Sequence, residues 1–241
     1  MTNAIDSTAP AAPDCRVVEL RQYTLHPGRR NELIELFDCE FVESQEAVGM
    51  RVLGQFRDLD DADRFVWLRG FADMAARGDA LPAFYGGPVW AEHRSTANPT
   101  MVDSDNVLLL RPAWAGAELQ APTQPRAPRG ATALPPGVLS ANVFHLRTRA
   151  GPELLALCRG EASERLGRAG ARVLGWYVTE AAPNNFPRLP VREGEPVLVA
   201  LAMFGDADGP CDLAPLLQPW LADKPPQALR LGPTARSALH A

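Results

Sequence analysis

The chain has 241 residues, 46% of them hydrophobic and 22% charged, which is the composition of a globular protein. Its formal net charge of −5 and its lack of a Lys/Arg cluster exclude an electrostatic footprint for nucleic acid or anionic lipid. No stretch approaches the roughly 18 apolar residues of a membrane span, and the four widely spaced cysteines form no C-x-x-C pair, so neither a disulfide framework nor a zinc site is expected and a reducing, cytoplasmic setting fits.

Residues 1–15 carry neither a charged start nor an apolar run, and read as a disordered tail. A first strand is expected over 16–25, then a helix over 28–48 with Leu33, Phe37, Phe41 and Val48 as its apolar stripe. Gly49 stands where a helix-ending glycine is wanted. Strands over 51–56 and 64–71 follow, joined by the polar turn "RDLDDADR". That turn holds four aspartates, but it lacks the glycine and terminal glutamate of a calcium loop, so a solvated hairpin is the better reading. Short helices over 72–82 and 87–96 flank "FYGGPVW", where Gly-Gly reads as a turn and Pro88 as a first-turn residue, in preference to an anion-binding helix start. A strand over 106–111 closes the half.

The segment 115–137 is rich in Pro, Ala and Gly and is expected to be an extended linker between two units, 16–114 and 138–241. The second unit repeats the first. "GMRVLGQF" at 49–56 returns as "GARVLGWY" at 170–177, 121 residues on (Arg51 and Arg172). At that offset "ELRQYTL" falls on "SANVFHL", and "RFVWLRGF" matches "VLVALAMF" after an insertion, "EAAPNNFPRLPVREGE". The helix of the second unit is expected over 151–168 and its middle strands over 172–178 and 196–204. The order β-α-β-β-α-β in each unit is the split ferredoxin-like arrangement, so the fold class is α+β with two tandem ferredoxin-like units. Val52 and Gly54, like Val173 and Gly175, are expected to share a strand face, the glycine leaving room for a neighbour.

"ELRQYTLHPGR", the RVLG strand, "FVWLRGF", "FYGGPVWAEHR" and "DSDNVLLLRP" resemble the NIPSNAP family, over nearly all of 16–112 and more faintly over 139–239. The resemblance implies the dimeric α/β-barrel class, in which two such sheets face each other; here the two halves would close a pseudo-dimeric barrel within one chain. Related barrels include cofactor-free monooxygenases, chlorite- and haem-handling proteins and stress-response proteins, an analogy of fold alone.

Strand parity then sorts the candidates. Phe65, Trp67, Arg69 and Phe71 share one face, and Glu19, Arg21, Tyr23 and Leu25 one face of the adjacent strand. The aliphatic faces are expected to lie under helices and the aromatic and charged faces to line the barrel interior. The candidate pocket is therefore Glu19, Arg21, Tyr23, Trp67 and Arg69, with Tyr85 at its mouth. The second half has Ser140, Asn142, Phe144, Leu198, Ala200 and Ala202 at the matching places, which predicts a wall in one half and space in the other. Two arginines beside aromatic rings favour an anionic aromatic ligand. The competing reading is a buried Glu19–Arg69 ion pair in a filled barrel. None of His26, His93, His145 and His240 has metal-ligand spacing, so no metal or cofactor is expected, and a haem-ligand role for His26 or His93 is the weaker alternative to an ordinary histidine. Without G-x-S-x-G, P-loop or dinucleotide motifs, two functions stay open. One is a small-molecule-binding barrel, a cofactor-independent oxygenase or isomerase in which Arg21 and Arg69 anchor, Trp67 stacks and Tyr23 or Tyr85 handles a proton. The other is a non-catalytic scaffold with a filled barrel. A homodimer is compatible with either.

Overall fold

The computed structural model describes residues 15–120, 125–205 and 211–241, so the expected tail lies outside the described residues apart from Cys15, which is buried. The first half runs β1 (Val17–Leu25), α1 (Arg30–Leu36), a π-helical turn (Phe37–Phe41), α2 (Val42–Glu46), β2 (Arg51–Asp58), β3 (Arg64–Phe71), α3 (Met74–Tyr85), α4 (Pro88–Ala97) and β4 (Met101–Pro112). The second runs β5 (Val138–His145), α5 (Pro152–Leu157), a π-helical turn (Cys158–Ala162), α6 (Ser163–Arg168), β6 (Arg172–Thr179), β7 (Val197–Phe204), α7 (Ala214–Leu217) and β8 (Gln227–Pro233). The two π-turns fall at the same repeat offset, so the long helix of each half is widened at the same point.

The described strands form one closed barrel in the order β1-β3-β2-β8-β5-β7-β6-β4. Each half contributes a four-stranded antiparallel sheet, and the seams are β2 with β8 and β4 with β6. Closure pairs the sheet edges within the chain, which removes edge-to-edge pairing as a route to a dimer. Among the described residues no helix is long and apolar enough to cross a membrane, and all four cysteines are free thiols.

The barrel interior is solid. Leu20, Leu68, Leu108, Leu139, Val199 and Leu201 belong to one buried aliphatic cluster that fills it. Gln22 and Gln227 exchange amide hydrogen bonds of 3.0 and 2.8 Å across one end, while Leu119 and Leu239 join the same cluster from the segments that follow β4 and β8. The expected interior assignment is therefore inverted: the aliphatic faces point inward, and the charged and aromatic faces point outward beneath the helices. An eight-stranded barrel is just wide enough for its own side chains to fill it, and here aliphatic residues fill most of it, with Tyr177 hydrogen-bonded among them and the Gln22–Gln227 pair at one end. The wider layer between sheet and helices takes the long aromatic and guanidinium side chains.

The repeated RVLG is a bulge. Pairing slips between Val52 and Gly54 against β3, and between Val173 and Gly175 against β7, leaving Leu53 and Leu174 as the extra residues. The slip corrects the expected faces, because Val52 packs outward with the helices while Leu53 and Phe56 face the interior. A Cβ on Gly54 would lie 2.6 Å from the Phe56 ring, and one on Gly175 would lie 2.8 Å from both the Tyr177 ring and the Ala117 carbonyl. Ala117 accepts from the Trp176 amide, and Ser237 Oγ accepts from the Gln55 amide, so each glycine lets a post-strand segment close over the bulge. Gly175→Ala should destabilise the protein by about 1–3 kcal/mol, because a backbone carbonyl has to move; a urea titration reads it, and an unchanged midpoint would refute the close-approach account.

The described part of 115–137 has no helix or strand but packs on the barrel. Arg126 donates to the Val52 and Arg236 carbonyls, at 2.7 and 2.6 Å, and to Glu46 at 3.0 Å. In "RDLDDADR" the carboxylates are occupied locally: Asp58 and Asp61 accept the amides of Asp60 and Asp63, and Asp58 pairs with Arg64. At Gly86 and Gly87 any Cβ would stand 2.8 Å from the carbonyls of Pro82 and Ala83, so the turn reading holds and the glycines serve close approach.

Candidate functional site

The candidate residues come together on the outer face of the β1–β3 sheet, beneath α1 to α4. Strand register sets Glu19 against Arg69, Arg21 against Trp67 and Tyr23 against Phe65. The equivalent pairs in the second half are Ser140 with Ala202, Asn142 with Ala200 and Phe144 with Leu198, so the repeat comparison matches residue to residue. The space expected there is absent. Trp176, at the repeat position of Gln55, is 1% exposed and fills it with Cys158 and Leu154.

Glu19 is the centre. One carboxylate oxygen accepts from Arg21 Nη1 at 2.8 Å and from Arg69 Nη2 and Nε at 2.5 and 3.0 Å. The other accepts from Arg77 Nε at 2.8 Å. All four side chains are essentially inaccessible. Burial alone would raise the Glu19 carboxyl, but the Arg69, Arg21 and Arg77 guanidiniums outweigh it and hold it far below the usual carboxylate range. Burial likewise opposes charge on Arg77, whose guanidinium is shifted down. Three cations around one anion leave a buried surplus of positive charge.

The arginines reach further. Arg21 Nε donates to Tyr23 Oη at 3.0 Å, and its guanidinium lies 5.5 Å from the ring centres of both Tyr23 and Trp67. Arg69 sits 5.0 Å from the Trp67 ring and donates to Gln45 Oε1 at 3.1 Å and Tyr85 Oη at 3.5 Å. Burial pushes the Tyr23 phenol up, against the opposing pull of Arg21, so Tyr23 is a neutral phenol at neutral pH. Tyr23, Trp67, Gln45 and Tyr85 line a cavity of about 30 Å³ with Phe37, Phe41, Phe84 and Trp90. That is room for a water but not for a ring. Trp67 keeps a buried indole N–H without a partner among the described residues.

All six sequence candidates are in this cluster, and each lies outside the barrel interior. Sequence reasoning missed Arg77, although its spacing with Ala80, Leu81 and Phe84 marks the buried stripe of α3. It also missed Gln45, and it missed Asn184, Asn185 and Phe186, which no local pattern reveals. Of the histidines, His26 is exposed, His93 lies 3.7 Å from Glu40, and His145 lies 3.6 Å from Glu195. No cluster of His, Cys, Asp or Glu suited to a metal occurs among the described residues.

No curated protein is significantly similar to the chain in sequence. Among solved structures, a "putative monooxygenase" from Lactobacillus acidophilus NCFM aligns at a TM-score of 0.56 and 10% identity, covering 93% of this chain and 98% of that one. A second "putative monooxygenase", from Fusobacterium nucleatum subsp. nucleatum ATCC 25586, aligns at a TM-score of 0.51 and 10% identity, covering 94% of each chain. At this identity both show a common fold across the two halves. A NIPSNAP-like domain protein from Burkholderia xenovorans is 26% identical and covers 47% of this chain and 91% of its own, with a TM-score of 0.38. The NIPSNAP family model matches residues 18–115, the stretch that carries the whole arginine–tyrosine cluster. Over residues 18–115 the chain is similar to the NIPSNAP family.

Proposed function

We propose that the first half binds a small aromatic molecule bearing an anionic oxygen, in the layer between the β1–β3 sheet and its helices, where the water-sized cavity of this closed state has to widen to admit it. The observation that carries this is the polarity of the cavity. Guanidinium groups only donate, so the Tyr23 and Tyr85 oxygens accept from Arg21 and Arg69 and leave their own O–H groups to donate. The Trp67 N–H is also a donor, and Gln45 is occupied by Arg69 and by the Phe41 carbonyl. A site that offers donors over surplus positive charge, between aromatic rings, suits a phenolate, enolate or carboxylate. Tyr23, kept as a phenol and polarised by Arg21, would donate to that oxygen as negative charge develops on it. Cofactor-independent oxygenation or isomerisation of an aromatic acid, each passing through such an oxyanion, is the chemistry this arrangement supports.

The test is calorimetric titration with 1-naphthoate. The wild type should bind, and Tyr23→Phe should weaken binding roughly tenfold by removing a hydrogen bond to a charged group. Tyr177→Phe, whose hydroxyl accepts from the Leu119 amide in the barrel interior, should leave binding unchanged. The solid barrel interior favours one other reading, a non-catalytic scaffold; absence of binding by 1-naphthoate would support it.

A further inference from the structure

The site of the first half is walled by a loop of the second. The β6–β7 connection, 180–196, replaces a turn of only a few residues at the matching place between β2 and β3. It crosses the β4–β6 seam, and its Arg192 amide donates to the Val107 carbonyl at 2.8 Å. Asn184 and Asn185 then accept from Arg77 Nη1 at 3.0 and 2.6 Å, while Arg77 Nη2 is buried without a partner among the described residues. Phe186 is buried and stacks on Tyr85, ring centres 6.0 Å apart and planes within 22°. The loop has been accommodated from the other side as well. Gly78, inside α3, is where a Cβ would come 2.8 Å from the Asn185 amide.

The same loop roofs the large cavity of the molecule. That cavity, about 460 Å³, lies on the outside of the seam and is lined by Leu109, Ala113, Leu155, Val178, Pro183 and Val191 among others. Its volume is in the range that holds a small molecule. Leu109 stands beside Glu19 in the β1–β4 register, and both Leu109 and Val191 belong to the apolar cluster that contains Trp67 and Tyr23. The roomy cavity and the tight aromatic one thus border the same apolar cluster: Pro183 and Val191 of the loop line the first, Tyr85 lines the second, and Phe186, between Pro183 and Val191 in the chain, stacks on Tyr85.

Resting on the ligand reading above, we infer that the 180–196 loop is the door of the first-half site: parting the Tyr85–Phe186 stack widens the Tyr23–Trp67 cavity, which is too small for a ring while the stack is closed, so that the aromatic ligand enters it from the side of the seam cavity, and Phe186 sets the size of ring admitted. The clasp on Arg77 holds the door, and Gly78 allows it to seat. The second half, which lacks the charged cluster, contributes the wall and the gate.

The Trp67 indole N–H gives a readout that needs no ligand, because it is buried and unpartnered and exchanges with water when the cavity opens. Its exchange is followed by NMR, with Trp67→Phe to assign it and Trp176 as an internal reference, whose indole N–H donates to Ser163 Oγ in the second half. Phe186→Ala removes the stack. Gly78→Ala displaces Asn185 while leaving every site side chain in place, and alanine would ordinarily strengthen the helix. Both variants should speed Trp67 exchange about tenfold, the worth of one ring stack, with Trp176 unchanged, and both should speed 1-naphthoate association more than they change its affinity. Unchanged Trp67 exchange in both variants overturns the door, and so does equal acceleration of Trp67 and Trp176, which is global loosening. Faster Trp67 exchange without any 1-naphthoate binding by the wild type supports the door and defeats the ligand class instead.

Discussion

Glu19→Gln should destabilise the protein by about 3–5 kcal/mol, the cost of leaving buried charges without their partner. The side chain is fully buried and holds Arg21, Arg69 and Arg77 at once. Glutamine offers a single acceptor oxygen and no charge, so three guanidiniums would face one another across it. The acid limb supplies a second readout. The folded-state pKa of Glu19 lies below its unfolded value of about 4.5, so its contribution is fully present above that value and is lost as pH falls through the depressed folded pKa. Wild-type stability should therefore fall with pH below about 4.5, and the part of that slope due to Glu19 should vanish in the variant. Denaturation midpoints across that range measure both effects. Glu164→Gln, which breaks an exposed helix pair with Arg168, should change little. A Glu19→Gln protein as stable as the wild type would show that the cluster is not organised around this carboxylate.

Leu68→Ala should cost about 2–5 kcal/mol, through lost burial and a cavity the barrel cannot collapse to fill. Leu68 is inaccessible and lies in the interior opposite β5 and β7, within the cluster that includes Leu20, Leu139 and Leu201. Hydrogen-bonded strands surround that cluster, so neighbours have little freedom to move inward. The measurement also separates the two places where a ligand site could lie. A packed interior makes the truncation costly and leaves 1-naphthoate binding to the outer-face cavity intact. A mild stability change together with altered 1-naphthoate binding would return the site to the barrel interior.

Much of the architecture is legible along the chain. The 121-residue offset between Arg51 and Arg172 aligns the strands, the helix-ending Gly49 and Gly170, and the two π-turns. Glu19, Arg21, Tyr23, Trp67 and Arg69 are also legible as one face, because strand alternation and adjacent pairing depend on local geometry. Which side of the sheet that face occupies is not local. Both faces of β3 are apolar enough to be buried, and both are buried, one by the opposite sheet and one by helices. The bulge at Leu53 then breaks alternation at the motif that looked most regular.

By itself, then, the sequence determined the repeat, the element order and the membership of the charged face, since each follows from period, turn chemistry and local spacing. The tertiary structure alone decided that this face lies under the helices, that Trp176 fills the matching place in the second half, and that Phe186 meets Tyr85. These are contacts between residues about twenty (Trp176 with Cys158) to a hundred (Phe186 with Tyr85) positions apart, or choices between two buried faces. They depend on how an eight-stranded barrel closes and on the volume it leaves on each side of its wall.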